Sequence, residues 1–285
     1  VKGEVKGMSL ILMYITNSPE VAQIAQKSGV DRIWIDLETF GKEERQKGMN
    51  TVKSQHTVDD IKKIKPILTK SEMLVRVNPW NDNSVQEIDQ VVSAGADIIM
   101  LPMWKSAAEV TNFINSVGGR CKTTLLLETK EAVECLDEVL KNDGVDEIHI
   151  GLNDLHLSYG LTFMFELLAN GTVEKLTKKI AGAGLPYGFG GIARLGEGLL
   201  PSKKVIMEHY RLGSTRAILS RSFCDNAIIT DIKEVEHVFT ENMKELRDYE
   251  GVVAENIESY EKNRIVVQQE VAKIVEIIRR KRNAD

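Results

Sequence analysis

Long apolar runs are absent from this 285-residue sequence. None approaches the roughly 18 consecutive apolar residues of a membrane-spanning helix, and the opening VKGEVKG lacks the apolar core of a secretory signal. Neither a membrane nor an export route is expected. Cysteine is scarce: Cys121, Cys135 and Cys224 are odd in number and lack metal-ligand spacing. They outline no disulfide framework or zinc knuckle and fit a cytoplasmic setting. Positive charge is in deficit, with 37 Lys and Arg against 42 Asp and Glu and a net charge of −5. Such a chain has no broad surface for neutralising phosphates, so nucleic acid is not an expected partner. The basic cluster from Arg279 to Arg282 closes the last predicted helix, where cations oppose the negative end of the helix dipole. The first predicted strand-to-helix turn carries no G-x-G-x-x-G, which removes the usual dinucleotide fingerprint.

What the sequence does contain is an alternation. Short Val/Ile/Leu-rich runs are predicted as strands at 10–15, 32–37, 73–77, 98–101, 123–127, 147–150, 187–190 and 217–219. Between them, amphipathic helices are predicted from Pro19, Val58, Val85, Ala107, Lys130, Phe163 and Ser202, with another from Asp231. Repeated strand–helix units on a parallel sheet follow from that order. Small-residue turns such as SGVD at Ser28, AGAD at Ala94 and DGVD at Asp143 are read as left-handed glycine caps that close a helix and enter a strand. A hydrophobic content of 42% can fill one core, and a (β/α)8 barrel takes about 250 residues. The predicted architecture is therefore a (β/α)8 TIM barrel over residues 8–249 with a C-terminal helical extension over 250–285. In that extension Val253, Ile257, Tyr260, Val267, Val271, Ile274 and Ile278 form a stripe that must be buried. A contact between subunits of a homo-oligomer is expected, with a helix laid on its own barrel as the other reading.

Catalytic groups of such barrels sit at the C-terminal ends of the strands. Those ends here carry Asp36 and Glu38, Arg76 with Asn78, Glu128, and Gly151-Leu152-Asn153-Asp154. Ionised side chains on apolar strands are costly unless paired or coordinated. Two carboxylates on neighbouring strands, Glu128 and Asp154, suit a hard divalent ion such as Mg²⁺ or Mn²⁺, which acts as a Lewis acid on a carbonyl or enolate oxygen.

On these residues the chain resembles the family of hydroxy-oxo-heptanedioate aldolases and citrate lyase beta subunits, the class II pyruvate aldolases. The resemblance runs from Ser9 to Phe223 and rests on Asp36-Leu37-Glu38, Val75-Arg76-Val77-Asn78, Glu128-Thr129 and Gly151-Leu152-Asn153-Asp154-Leu155. It implies a carbon–carbon lyase acting on a small oxo-acid. Glu128 and Asp154 would be metal ligands, Arg76 would stabilise the enolate, and backbone N–H groups at Gly151, Asn153 and Asp154 would receive the substrate carboxylate. It also implies subunits that exchange their last helices. One position departs from the pattern: Thr39 stands where the pyruvate aldolases have a proton-shuttling His, and Ser93 lies near the place of the carboxylate that supports it. In lacking that His the text is closer to the citrate lyase branch. Glu38 and His156 are the candidate replacement bases, and Lys42 and Arg45 a candidate anion-binding rim.

A glycine-rich stretch around Gly190 and Gly191, with Arg194, precedes Ser220-Arg221-Ser222. Loops after the seventh and eighth strands commonly bind phosphate in barrels, so Gly190, Gly191 and Arg221 are a second candidate anion site. Two other readings stay open: an enolate enzyme on a phosphorylated acid, of the phosphoenolpyruvate mutase type, and a non-catalytic oxo-acid-binding protein.

Overall fold

The computed structural model describes residues 9–41, 56–225 and 228–283. Eight parallel strands, β1 (Ile11–Ile15), β2 (Arg32–Asp36), β3 (Glu72–Arg76), β4 (Ile98–Leu101), β5 (Lys122–Leu127), β6 (Glu147–Ile150), β7 (Tyr187–Ile192) and β8 (Arg216–Leu219), close in sequence order into a barrel. All eight lie where the sequence places them, within a residue or two. The chain divides into two compact units, Met13–Ile148 and the residues on either side of it.

In the first unit, β2 and β3 pair in a register that sets Arg32 beside Glu72, Trp34 beside Leu74 and Asp36 beside Arg76. Arg32, only 2% exposed, donates from Nε to Glu72 and from Nη2 to Glu147 at 3.0 Å. Since β2 and β6 are not neighbours in the barrel order, Arg32 and Glu147 must meet inside it. Thr124 Oγ1 also donates to Glu147, at 2.7 Å. A buried ion pair is tolerated only when its donors and acceptors are satisfied, and this one is. Burial works against the Arg32 charge, but Glu147 and then Glu72 outweigh it and raise the pKa.

The helices of this unit follow their local signals. Ser18, Ser106 and Thr129 cap Pro19–Lys27, Ala107–Val117 and Lys130–Glu134 by accepting a backbone N–H from the first turn. Gly95 closes Ser84–Ala94 with φ +105°, a region costly for residues with a Cβ. Gly144, expected to do the same, does not take a left-handed conformation. It is small for another reason: a Cβ there would lie 2.2 Å from Ile114 Cγ2.

In the second unit, the N–H of Ile11 donates to the carbonyl of Thr215, and the N–H of Leu10 to Glu250 Oε1 at 2.8 Å. Glu250 belongs to the helix Ile232–Glu255, so the expected boundary at 249/250 falls inside a helix. The single long helix expected from about Gly251 is interrupted by a 3-10 turn, Ile257–Ser259. Ser259 Oγ donates to Asn256 Oδ1 at 2.6 Å, the local side-chain bonding that competes with helix continuation. The last helix, Tyr260–Arg282, buries Tyr260, Val267, Val271 and Val275. It lies on helices of its own unit: Asn263 Nδ2 donates to Glu208 Oε1 at 2.9 Å, and Gln268 Nε2 to the carbonyl of Ala169 at 3.1 Å. Among the described residues no helix is long and apolar enough to cross a membrane.

Glu147→Leu should cost about 3–5 kcal/mol in chemical denaturation, because it leaves Arg32 buried without its main partner. Adding Arg32→Met should recover most of that loss. Equal losses in the single and double variants would show that stranded charge is not the cause.

Candidate active site

The end of β2 and the end of β3 meet as an ion cluster. Asp36 accepts two bonds from Arg76, Nε to Oδ1 and Nη2 to Oδ2, both 2.9 Å. Glu38 Oε2 lies 3.2 Å from Arg76 Nη1. Beneath, the Trp34 ring centroid is 5.2 Å from the guanidinium carbon, a cation–π distance. The alternation of a strand puts Trp34 and Asp36 on the same face, and the register brings Arg76 to both. Asp36 and Glu38 are 2% exposed and Glu128 3%. Burial opposes the Arg76 charge, but Asp36, Glu38 and, to a smaller degree, Glu128 raise its pKa above the ordinary value. Arg76 is a fixed cation. Asp36 is held further by its own backbone N–H, which donates to His56 Nδ1 at 3.0 Å.

Glu128 follows β5, and its Oε1 accepts the N–H of Met103 at 3.0 Å. Met103, with φ +53°, is the only non-glycine residue of positive φ among the described residues. A left-handed Met carries a conformational cost that surrounding contacts must hold in place. Here the conformation turns a backbone donor toward a buried carboxylate. Thr129, next in sequence, donates from Oγ1 to the carbonyl of Trp104 at 2.8 Å while capping its own helix. The loop after β4 and the start of the helix after β5 are thereby tied together around Glu128.

Asn78, two residues beyond Arg76, joins three segments. Its Oδ1 accepts the N–H of Thr39 at 2.8 Å, the N–H of Phe40 at 3.1 Å and Thr39 Oγ1 at 3.2 Å. Its Nδ2 donates to Glu87 Oε1 at 2.7 Å, and its backbone N–H to the same carboxylate. Burial raises the Glu87 pKa, while the bonds from Asn78 lower it. Sequence reasoning passed over Glu87 and Met103: one reads as an ordinary first-turn acid, and the other carries no local sign of a left-handed backbone. Lys42 and Arg45 lie outside the described residues.

In the second unit, Gly151-Leu152-Asn153-Asp154 is not a loop but the start of a short helix, Leu152–Ser158. Asn153 is exposed and Asp154 half-buried in its first turn. His156 is buried, and its Nδ1 donates to the carbonyl of Leu152 at 3.2 Å. Gly190 has φ +51°, and a Cβ there would come within 2.7 Å of Leu152 Cδ1, so the glycine permits close approach of β7 to this helix. Gly191 is in extended backbone within β7, and Arg221 is exposed after β8. Among the described residues, no three or more His, Cys, Asp or Glu side chains are grouped as a metal site on their own.

The family model for HpcH/HpaI aldolase/citrate lyase matches residues 10–184, more than half of the chain. The chain belongs to this family. Its members are enzymes, so this is a carbon–carbon lyase of the aldolase and citrate lyase kind. A search of curated protein sequences finds no significant match. Among solved structures, the chain is similar to an HpcH/HpaI aldolase from Desulfitobacterium hafniense DCB-2, with TM-score 0.57 and 17% identity over 74% of this chain and 86% of that one. A HpcH/HpaI aldolase/citrate lyase family protein from Burkholderia cenocepacia J2315 superposes with TM-score 0.61 and 14% identity over 81% of this chain and 96% of that one. Citrate synthase SbnG gives TM-score 0.57 and 16% identity over 75% and 86% of the two chains. At such identities these likenesses show the shared fold.

The lyase's Met103 backbone offers a direct check. Met103→Gly should leave thermal stability within about 1 kcal/mol of the parent, since relief of left-handed strain offsets the extra freedom of glycine when unfolded. Met103→Val should lose about 1–3 kcal/mol, because a β-branched residue fits that region poorly. A valine variant as stable as the parent would contradict the strained geometry.

Proposed function

We propose that this lyase is divalent-metal-dependent and makes or breaks the carbon–carbon bond beside a 2-oxo acid or an acyl enolate, in the cytoplasm. The observation that carries the reading is the make-up of the buried cluster. Three buried acids, Asp36, Glu38 and Glu128, stand around the single guanidinium of Arg76. A hard divalent cation, Mg²⁺ or Mn²⁺, suits a setting so rich in carboxylate oxygens. Glu128 and Asp154 would hold it, as the family resemblance implies, leaving further positions to water and substrate oxygens. When bound, such an ion polarises the carbonyl or enolate oxygen as a Lewis acid.

The chain's own residues divide the remaining work. Asp36 and Glu38 orient the guanidinium of Arg76, and its five N–H groups leave donors over for an oxygen that becomes negative. In the cleavage direction a base takes the proton of the substrate hydroxyl, the carbon–carbon bond breaks, and its electron pair comes to rest on the oxo oxygen as an enolate facing Arg76. Glu38, or His156 through Nε2, is the candidate base. Gly151, Asn153 and Asp154 stand at the start of a helix, where the family resemblance implies that backbone N–H groups receive the substrate carboxylate. Gly190, Gly191 and Arg221 would take a further anionic group. Exchange of the last helix within a homo-oligomer would seat Val267, Val271 and Val275 in the same groove of a second copy, and belongs to the same proposal.

Glu128→Gln and Asp154→Asn should each abolish binding of Mg²⁺ or Mn²⁺ in titration calorimetry while circular dichroism stays unchanged. Retained affinity in both would overturn the ligand assignment. Arg76→Lys should lower kcat by about 10²–10³ with metal affinity largely kept, since lysine preserves charge but not the planar fork. Near-normal turnover would place enolate stabilisation elsewhere.

A further inference from the structure

We infer that Glu87 is a positioning residue for the segment that carries Glu38: through Asn78 it fixes the polarity of a hydrogen-bond relay that latches Thr39 and Phe40. The inference rests on the proposed function only in taking Glu38 and Arg76 to border the reacting groups.

An ionised carboxylate only accepts. Glu87 therefore faces the two N–H sources of Asn78, the side-chain amide at 2.7 Å and the backbone at 3.2 Å. That choice turns the other end of the Asn78 amide, the carbonyl oxygen, toward β2. There it gathers the N–H groups of Thr39 and Phe40 and the Thr39 hydroxyl. With its proton directed to Asn78, the Thr39 hydroxyl presents lone pairs in its other directions. A turned-over Asn78 would instead set its NH₂ against the two backbone donors and release the segment. Glu38 is the residue immediately before Thr39, and its carboxylate stands 3.2 Å from Arg76. The latch thus holds Glu38 from one side while Asp36 Oδ1, accepting the Glu38 N–H at 3.2 Å, holds it from the other. Thr39 occupies the position of the family's proton-shuttling His, so this relay orients the residue that replaces it.

Size and polarity make opposite forecasts for two variants. Glu87→Gln keeps the length but places an NH₂ against an Asn78 donor. Glu87→Asp is shorter but still only accepts. If polarity matters, the Gln variant suffers more; if Glu87 merely fills space, the Asp variant does. Hydrogen exchange of the full chain, resolved to single amides, reads this without any substrate. In Glu87→Gln, Thr39 and Phe40 should exchange about tenfold faster, the loss of roughly one hydrogen bond, with amides inside β2 and β3 unchanged. Glu87→Asp should keep more of their protection. Unchanged protection in Glu87→Gln, or greater loss in Glu87→Asp, would overturn the latch. Should either variant fail to fold, Asn78→Leu, which keeps the volume but removes the oxygen that both amides share, should release the same two amides, and their continued protection would overturn the latch. A chain with no lyase activity on any 2-oxo acid or acyl thioester would defeat the functional reading, while the exchange measurement still decides the latch.

Discussion

The register of β2 against β3 is the constraint on which the rest of the site depends. Two oppositely directed ion pairs lie along this one strand pair: Arg32 of β2 beside Glu72 of β3 at the start, and Asp36 of β2 beside Arg76 of β3 at the end. Each pair is set four residues from the other on both strands, so all four side chains fall on the same face. A slip of one residue would send the two groups of the slipped strand to the opposite face and leave buried charges without partners. The register is thus specified electrostatically at both ends, with Trp34 and Leu74 packed between.

Each end then recruits a different part of the first unit. At the start, Arg32 reaches across the interior to Glu147, whose carboxylate also takes the Thr124 hydroxyl. That network fills the barrel floor with charge rather than with the branched aliphatics usual in barrel layers. At the end, Arg76 gathers Asp36 and Glu38 and feels Glu128. At the strand ends, several buried acids crowd around one guanidinium, on the face of the barrel where catalytic groups sit.

Precision in this cluster comes from backbone and amide groups around it. Glu128 is met by an N–H made available by a left-handed Met103, and Glu38 is framed by Asp36 on one side and the Thr39–Asn78–Glu87 relay on the other. The absence of His at position 39 therefore does not leave a gap. A hydroxyl whose proton is directed to Asn78 stands there, and Asn78 in turn is bound to Glu87 of the helix Ser84–Ala94.

The amino-acid order by itself determined the eight strands, most helix starts and the set of strand-end groups, because periodicity and capping are short-range and the C-terminal ends of parallel strands are known to face one mouth. Asp36, Glu38, Arg76, Glu128 and Asp154 were legible as charges too costly to sit on apolar strands without a purpose. Only the tertiary structure decided the partners. Arg32 and Glu147 are far apart in sequence, and nothing local says that they meet across a barrel. The left-handed Met103 and the break at Asn256–Ser259 run against the preferences of the surrounding text, and the turn GLND became a helix. The seat of the last helix was ambiguous for a related reason: an apolar stripe states that it must be covered, not by what. Hydrophobic pattern is written along the chain, whereas register, strain and hydrogen-bond polarity arise between segments that the chain brings together only when folded.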